Sequence, residues 1–258
     1  MPKNCLDLTG RVAVVFGGSS GLGKEIAHGL AEHGADVVPT ARRADLLKEV
    51  CREVESRGRR TLLRAADVQD RISIRRLRND ILDHFGRLDI LVNAAGATFR
   101  KPTLDVNDTE WSSLFDTNLK GVLHTCQEFY PALKLSGAAR VIAIASLGSY
   151  LAFHEVAAYC ASKAAVLSLV RSLACEWARD GICVNAIAPG VFPTELNAHL
   201  LNGTERGREI LLRTPMHRFG DPRELVGAAV LLASDGASFI TGQCIAVDGG
   251  YLAAGVNS

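Results

Sequence analysis

Two side chains four residues apart, Tyr159 and Lys163 in Tyr-Cys-Ala-Ser-Lys, have the types and spacing for acid–base chemistry. On a helix, positions i and i+4 share a face about one turn apart. An ammonium beside a phenol favours the phenolate, so the tyrosine should exchange its proton nearer neutrality than a free pKa of ~10 allows. Such a group suits giving a proton to, or taking one from, a carbonyl oxygen. The same spacing also arises when a tyrosine packs by its ring beside a solvated lysine. The rest of the chain decides between the two.

The elements that would carry these groups begin with Arg11-Val12-Ala13-Val14-Val15-Phe16, a continuous apolar run of the kind buried on both faces of a parallel sheet. It ends in Gly17-Gly18-Ser19-Ser20-Gly21-Leu22-Gly23. A helix follows with Ile26, Ala27, Leu30 and Ala31 on one face, and Gly34 closes it. Strand, glycine turn and helix together bind phosphate: backbone N–H groups at the helix start face an anion, and missing side chains let it approach. Gly17, Ser19, Ser20, Gly21, Leu22 and Gly23 are the expected contacts. The spacing Gly17-x-x-x-Gly21-x-Gly23 is related to the dinucleotide fingerprint without matching it, and a tight turn is the other reading.

The second strand, Asp36 to Thr40, is followed by Ala41-Arg42-Arg43. An NAD-preferring unit places an acid here for the ribose 2′-hydroxyl. Its absence and the guanidinium groups of Arg42 and Arg43 favour a 2′-phosphate, hence NADP, with NAD as the alternative cofactor. The two arginines also fit the solvent side of the next helix.

The alternation then continues. Helices are expected over Leu46–Val54, Ile74–Phe85, Trp111–Leu133 (carrying Asn118), Tyr159–Ala178 and Leu225–Ala233. Strands are expected at Thr61–Ala65, Leu88–Val92, Val141–Ala145, Ile182–Ile187 and Gln243–Val247. This pattern predicts one α/β domain over residues 1–258, a Rossmann-type doubly wound parallel sheet with helices on both faces. Such sheets bind ligands outside the carboxyl ends of their strands. Gly17, Asp67-Val68, Asn93-Ala94-Ala95-Gly96, Ser146 and Pro189-Gly190 all fall there.

Composition narrows the function classes. A formal charge of +1 gives no electrostatic case for nucleic acid or an anionic membrane as partner. Seven cysteines without a C-x-x-C pair fit reduced thiols, and neither a signal core nor a run of ~18 apolar residues stands out, so a cytoplasmic protein is expected. No His/Cys/Asp/Glu set has metal spacing, and no metal is expected. The arginine runs 57–60 and 75–76 read as solvated helix ends and faces.

The glycine turn, Asn93-Ala94-Ala95-Gly96, Asn118, Ser146 with Tyr159 and Lys163, and Pro189-Gly190-x-x-x-Thr194 together resemble the short-chain dehydrogenase/reductase family over essentially the whole chain. Two positions depart from it: Phe16 stands where threonine is usual, and Ala94 where a second asparagine is common. The resemblance implies that Ser146 holds the substrate oxygen, Tyr159 transfers the proton, Lys163 lowers its pKa and binds the nicotinamide ribose, and Asn118 orders a water. Pro189, Gly190 and Thr194 are the further cofactor contacts it implies.

Substrate choice is assigned to 147–156 and to a covering segment at about 191–217, through Gly148, His154, Phe192 and Leu196, with His199 and Met216 nearby; an exposed loop histidine is the other reading of His154. The C-terminal stretch resembles gluconate 5-dehydrogenase-like members, with 3-oxoacyl-carrier-protein reductases as the alternative, so the substrate is a carbonyl or secondary alcohol on a sugar acid or polyol. Apolar residues around much of 164–178, with the family's usual tetramer, predict a homotetramer. A non-catalytic cofactor-binding redox sensor is the competing class; such a protein tolerates loss of Tyr159 or Lys163, and both are present.

Overall fold

Short β-branched runs bounded by glycine or polar residues build the centre of the molecule, where they pair edge to edge. The computed structural model describes residues 4–194, 197–201 and 203–255. Among these, six strands form one parallel sheet: β1 (Val12–Phe16), β2 (Asp36–Thr40), β3 (Ile90–Asn93), β4 (Arg140–Ile144), β5 (Cys183–Pro189) and β6 (Cys244–Val247). Their order is β2-β1-β3-β4-β5-β6. The chain leaves β1 for β2 on one side and then crosses to β3 on the other. That reversal opens a crevice at the carboxyl ends of β1 and β3.

Side chains alternate across the sheet, as the two-residue period of a strand requires. Val12, Val14 and Phe16 join one core layer, with α3 (Arg71–Phe85), α5 (Gly121–Ser136) and α6 (Ala157–Trp177). Ala13 and Val15 join the other, with α1 (Gly21–Glu32) and α9 (Val226–Ala233). The remaining helices are α2 (Ala44–Ser56), α4 (Asp108–Phe115), α7 (Ala198–Leu201) and α8 (Glu205–Arg213). A smaller apolar cluster of Leu147, Leu201, Ile210 and Tyr251 seats α7 and α8 on the segment after β4.

Three expectations need correction. Thr61–Ala65 is extended chain beside β2 and forms no ladder. Val37 N–H donates to the Arg60 carbonyl at 3.1 Å and Ala66 N–H to the Ala41 carbonyl at 3.2 Å. Between them, on the same edge of β2, stands Pro39, which has no N–H to donate. The expected helix from Trp111 to Leu133 is interrupted by a π-turn at Asp116–Lys120, between α4 and α5, and Asn118 lies inside it. Finally, the apolar residues expected around much of 164–178 are bulky on one face only. Val166, Leu167, Val170, Leu173 and Trp177 are buried on one face, while Ala161, Ala164, Ser168, Ser172 and Cys175 are exposed on the other. By length and composition Ala157–Asp180 would suffice to cross a membrane, yet its bulky face packs on this sheet.

Candidate active site

The carboxyl ends of the strands open into a cleft of about 630 Å³. At one end lies the turn after β1. Gly17 has φ +78°, and a Cβ there would lie 2.6 Å from Ala95 N, so the backbones of the β1 and β3 ends touch. Gly23 sits in α1 with its Cα against the Gly17 carbonyl; a Cβ would lie 2.3 Å from that oxygen. Ser20, the N-cap of α1, makes no side-chain cap, which leaves the first N–H groups of the helix facing the cleft without help from their own cap. Arg43 donates weakly to Ser20 Oγ at 3.4 Å, and exposed Arg42 lines the same end.

Ser19, Gly21, Leu22, Asp67, Val68, Ala94, Gly96, Pro189, Gly190, Phe192 and Thr194 also line the cleft, as do Ser146, Tyr159 and Lys163 farther along. The cradle that glycines keep open and the two guanidinium groups at its mouth fit a phosphate-bearing dinucleotide.

Ser146 ends β4. Its hydroxyl accepts from Gly148 N–H at 3.1 Å and starts a short 3₁₀ turn. Tyr159 lies in the first turn of α6, and Lys163 one turn later is buried. Burial pushes the Tyr159 phenol up in pKa, and the Ser146 hydroxyl acts more weakly in the opposite direction. The expected lowering by Lys163 is therefore not seen. Its Nζ sits 5.9 Å from the phenol ring centroid and donates to the Ile144 carbonyl at 2.7 Å. What titrates low here is the lysine: burial pushes its pKa down to about 8.

That shift makes a prediction about stability. A lysine whose folded pKa lies below its unfolded value binds fewer protons folded than unfolded between the two, so stability rises with pH through that window. For Lys163 the window runs upward from about pH 8. The wild type should gain about 2 kcal/mol between about pH 7.5 and about pH 9.5, and Lys163→Met should lack this component. Urea melts of both proteins at the two pH values check it; parallel pH dependence would contradict it.

Four predicted residues do not reach the cleft. Asn93 is buried and accepts from Thr125 Oγ1 at 2.7 Å, holding α5 to the end of β3. Asn118 is fully buried: its Oδ1 accepts from Ala97 N–H at 2.8 Å, and its Nδ2 donates to the Ala97 carbonyl at 2.9 Å and to Ser162 Oγ at 3.0 Å. Its amide is thus engaged with protein groups at both ends. Gly148 is buried where a Cβ would lie 2.9 Å from Cys160 Sγ. His154 is an exposed loop side chain beside Glu155. Leu196 lies outside the described residues, as do Glu195, Asn202 and the side chain of His199.

Sequence reasoning missed Thr98 and Thr117 on the cleft wall, and Asn197. Asn197 Oδ1 accepts from Thr194 N–H at 2.7 Å, and its Nδ2 donates to the Phe192 carbonyl at 3.0 Å, closing the loop after β5. A Thr-x-x-Asn pair following Pro-Gly was the available signal. Phe16, the departure from the family pattern, is a core residue packed edge-on against Phe129 at 5.9 Å.

Comparison with known proteins fits this geometry. The family profile described as enoyl-(acyl carrier protein) reductase matches residues 17–252. The 2-dehydro-3-deoxy-D-gluconate 5-dehydrogenase of Dickeya dadantii is 39% identical, covering 98% of this chain and 100% of the relative. The gluconate 5-dehydrogenase of Gluconobacter oxydans is 36% identical, over 94% of this chain and 95% of the relative. A crystal structure of a gluconate 5-dehydrogenase from Burkholderia cenocepacia J2315 in complex with NADP and tartrate superposes with a TM-score of 0.92 at 35% identity, covering 97% of this chain and 98% of that one. With the strand order, the glycine cradle and the serine, tyrosine and lysine on one cleft wall, these matches identify the chain as an oxidoreductase of the short-chain dehydrogenase/reductase family.

Proposed function

We propose that the protein interconverts a ketone and a secondary alcohol on a sugar acid or polyol, with NADP(H) as cofactor, in the cytoplasm and as a homotetramer. The observation that carries this reading is the placement of Ser146, Tyr159 and Lys163 on the wall of the cleft that begins at the glycine turn. The turn residues Gly17 to Gly23 hold the diphosphate, Asp67 and Val68 the adenosine end, and Ala94, Gly96, Pro189, Gly190 and Thr194 the nicotinamide half. The cofactor, when bound, supplies or accepts the hydride.

The chain's own residues handle the oxygen. Ser146 binds it, and Tyr159 gives it a proton during reduction and takes one during oxidation. Lys163 keeps a positive charge behind the phenol; with a pKa of about 8 it is charged at neutrality and loses that charge as pH rises. Asn118 acts by fixing Ala97 and Ser162, and so the cleft wall and α6. To the described residues of the 191–217 segment, which leave out 195, 196 and 202, we assign the covering of the substrate and the exclusion of water.

The sugar-acid reading rests on the two curated relatives and on the tartrate, a hydroxy acid, in the Burkholderia structure. The acyl-carrier-protein substrate named in the matching family profile keeps a second reading in view, reduction of the ketone of a 3-oxoacyl thioester. Following NADPH absorbance against keto-sugar acids, simple ketones and acetoacetyl thioesters separates them: turnover should concentrate on the first group. Silence across all three groups, with intact NADPH binding, would move the protein to the redox-sensor class. Arg42→Ala combined with Arg43→Ala should weaken NADPH about tenfold and NADH much less. Equal losses for both cofactors would place the arginines away from the 2′-phosphate.

A further inference from the structure

The chain enters α6 through an unusual residue. Glu155 has φ +64°, a left-handed conformation that side-chain-bearing residues rarely adopt; His217 is the other such residue among those described. Glycine takes this conformation freely, and turns of this kind usually use it. A glutamate in such a position points to a task for its carboxylate.

That carboxylate forms an ion pair with Arg100, Oε2 lying 2.7 Å from Nε, and the Glu155 carbonyl accepts from Lys101 N–H at 2.8 Å. Arg100 and Lys101 end a strap that leaves β3 and lines the cleft mouth through Ala97 and Thr98. Lys101 Nζ in turn donates to both Glu110 oxygens on α4 at 2.8 Å. The other end of the strap is Ala97, whose N–H and carbonyl are both held by Asn118. Asn118 also reaches Ser162, and Ser162 Oγ donates to the Tyr159 carbonyl at 2.7 Å. The contacts therefore close a ring: the start of α6, Glu155, Arg100 and Lys101, the strap, Ala97, Asn118, Ser162 and α6 again. Tyr159 stands inside it, four residues after Glu155. Val156, the N-cap of α6, makes no side-chain cap of its own.

We infer that Glu155 is a positioning residue which, paired with Arg100, clamps the strap to the first turn of α6 and so fixes the angle at which Tyr159 faces Ser146. The inference rests on the reading of Tyr159 as proton donor. The pair is partly exposed, at 44% for the Arg100 side chain and 25% for Glu155. Exposed ion pairs add little to global stability. A geometric role and a merely stabilising one therefore make different predictions.

The test compares full-length wild type with Arg100→Ala, Glu155→Gln, the double variant and Arg100→Lys, with Tyr159→Phe as control. Each of the first two should lower kcat about tenfold, because a small displacement of a reacting group is costly. KM for the carbonyl substrate and Kd for NADPH should stay within roughly twofold. The double variant should fall no further than either single, and Arg100→Lys should recover most of the rate. Amide hydrogen exchange in 157–163, measured without substrate, should speed up about tenfold while α5 and the melting temperature hold. Unchanged kcat and exchange in the single variants would overturn the inference, as would multiplying losses in the double. A raised substrate KM at normal kcat would overturn it too, by placing the pair in contact with substrate. If Tyr159→Phe itself turned over normally, the proton-donor reading would fail instead, and the exchange measurement would still decide the clamp.

Discussion

Tyr159→Phe should bind NADPH with wild-type affinity and lose about 10²–10⁴-fold in kcat, the range a positioned general acid supplies. Phenylalanine keeps the ring, so the packing of the first turn of α6 is retained, and only the hydroxyl on the cleft wall is removed. Ser146 keeps its bond from Gly148 N–H. Substrate oxygen would still be bound, but no side chain would deliver the proton. Lys163 cannot substitute directly, since its ammonium is directed at the Ile144 carbonyl. A fluorescence titration with NADPH and an absorbance assay on the same preparation check both halves. Turnover near the wild-type level would assign the proton to another group.

The second large effect is expected at the glycine turn. Gly23→Ala puts a Cβ 2.3 Å from the Gly17 carbonyl oxygen and 2.8 Å from its carbon. Both are backbone atoms, and Gly17 has no room to retreat, because its own Cα faces Ala94 and Ala95. The turn has to open, and the N–H groups at the start of α1 move with it. NADPH affinity should fall about a hundredfold or more, equal to about 2.7 kcal/mol. Gly227→Ala is the control, since a Cβ there meets nothing within 4 Å; it should leave affinity unchanged. Calorimetry on both variants tests this, and wild-type affinity in Gly23→Ala would remove the turn from the cofactor site.

Most of the architecture was legible because it depends on local pattern. Apolar runs such as Val12–Phe16 signal buried strands, and the polar or glycine residues that end them mark the rim where a parallel sheet holds ligands. The spacing of Tyr159 and Lys163 put them on one helix face, and the strand ends around them, not the spacing, favoured chemistry over packing. The misses all depend on partners distant in sequence. Thr61–Ala65 has the composition of a strand, but its pairing partner carries Pro39, so no ladder forms. Asn93 reads as a cofactor contact in the sequence, yet its side chain bonds to Thr125, 32 residues on. The π-turn around Asn118 has no periodic signature, and its role in tying Ala97 to Ser162 exists only once both segments are folded against it.

The same limit explains the reversed pKa pattern. Spacing placed an ammonium near a phenol and suggested that the phenol would be lowered. In the folded chain the ammonium turns to Ile144, burial raises the phenol, and burial lowers the lysine to about 8. Desolvation is a property of the assembled cleft, which no pair of neighbouring residues encodes.

The account as a whole is tested most directly by isotope transfer. Wild-type protein incubated with a keto-sugar acid and NADPH deuterated at nicotinamide C4 should yield an alcohol carrying deuterium on the former carbonyl carbon, and Tyr159→Phe under the same conditions should yield almost none. An alcohol formed without deuterium from either face of the labelled ring, or bound NADPH with no alcohol from any carbonyl offered, would contradict it.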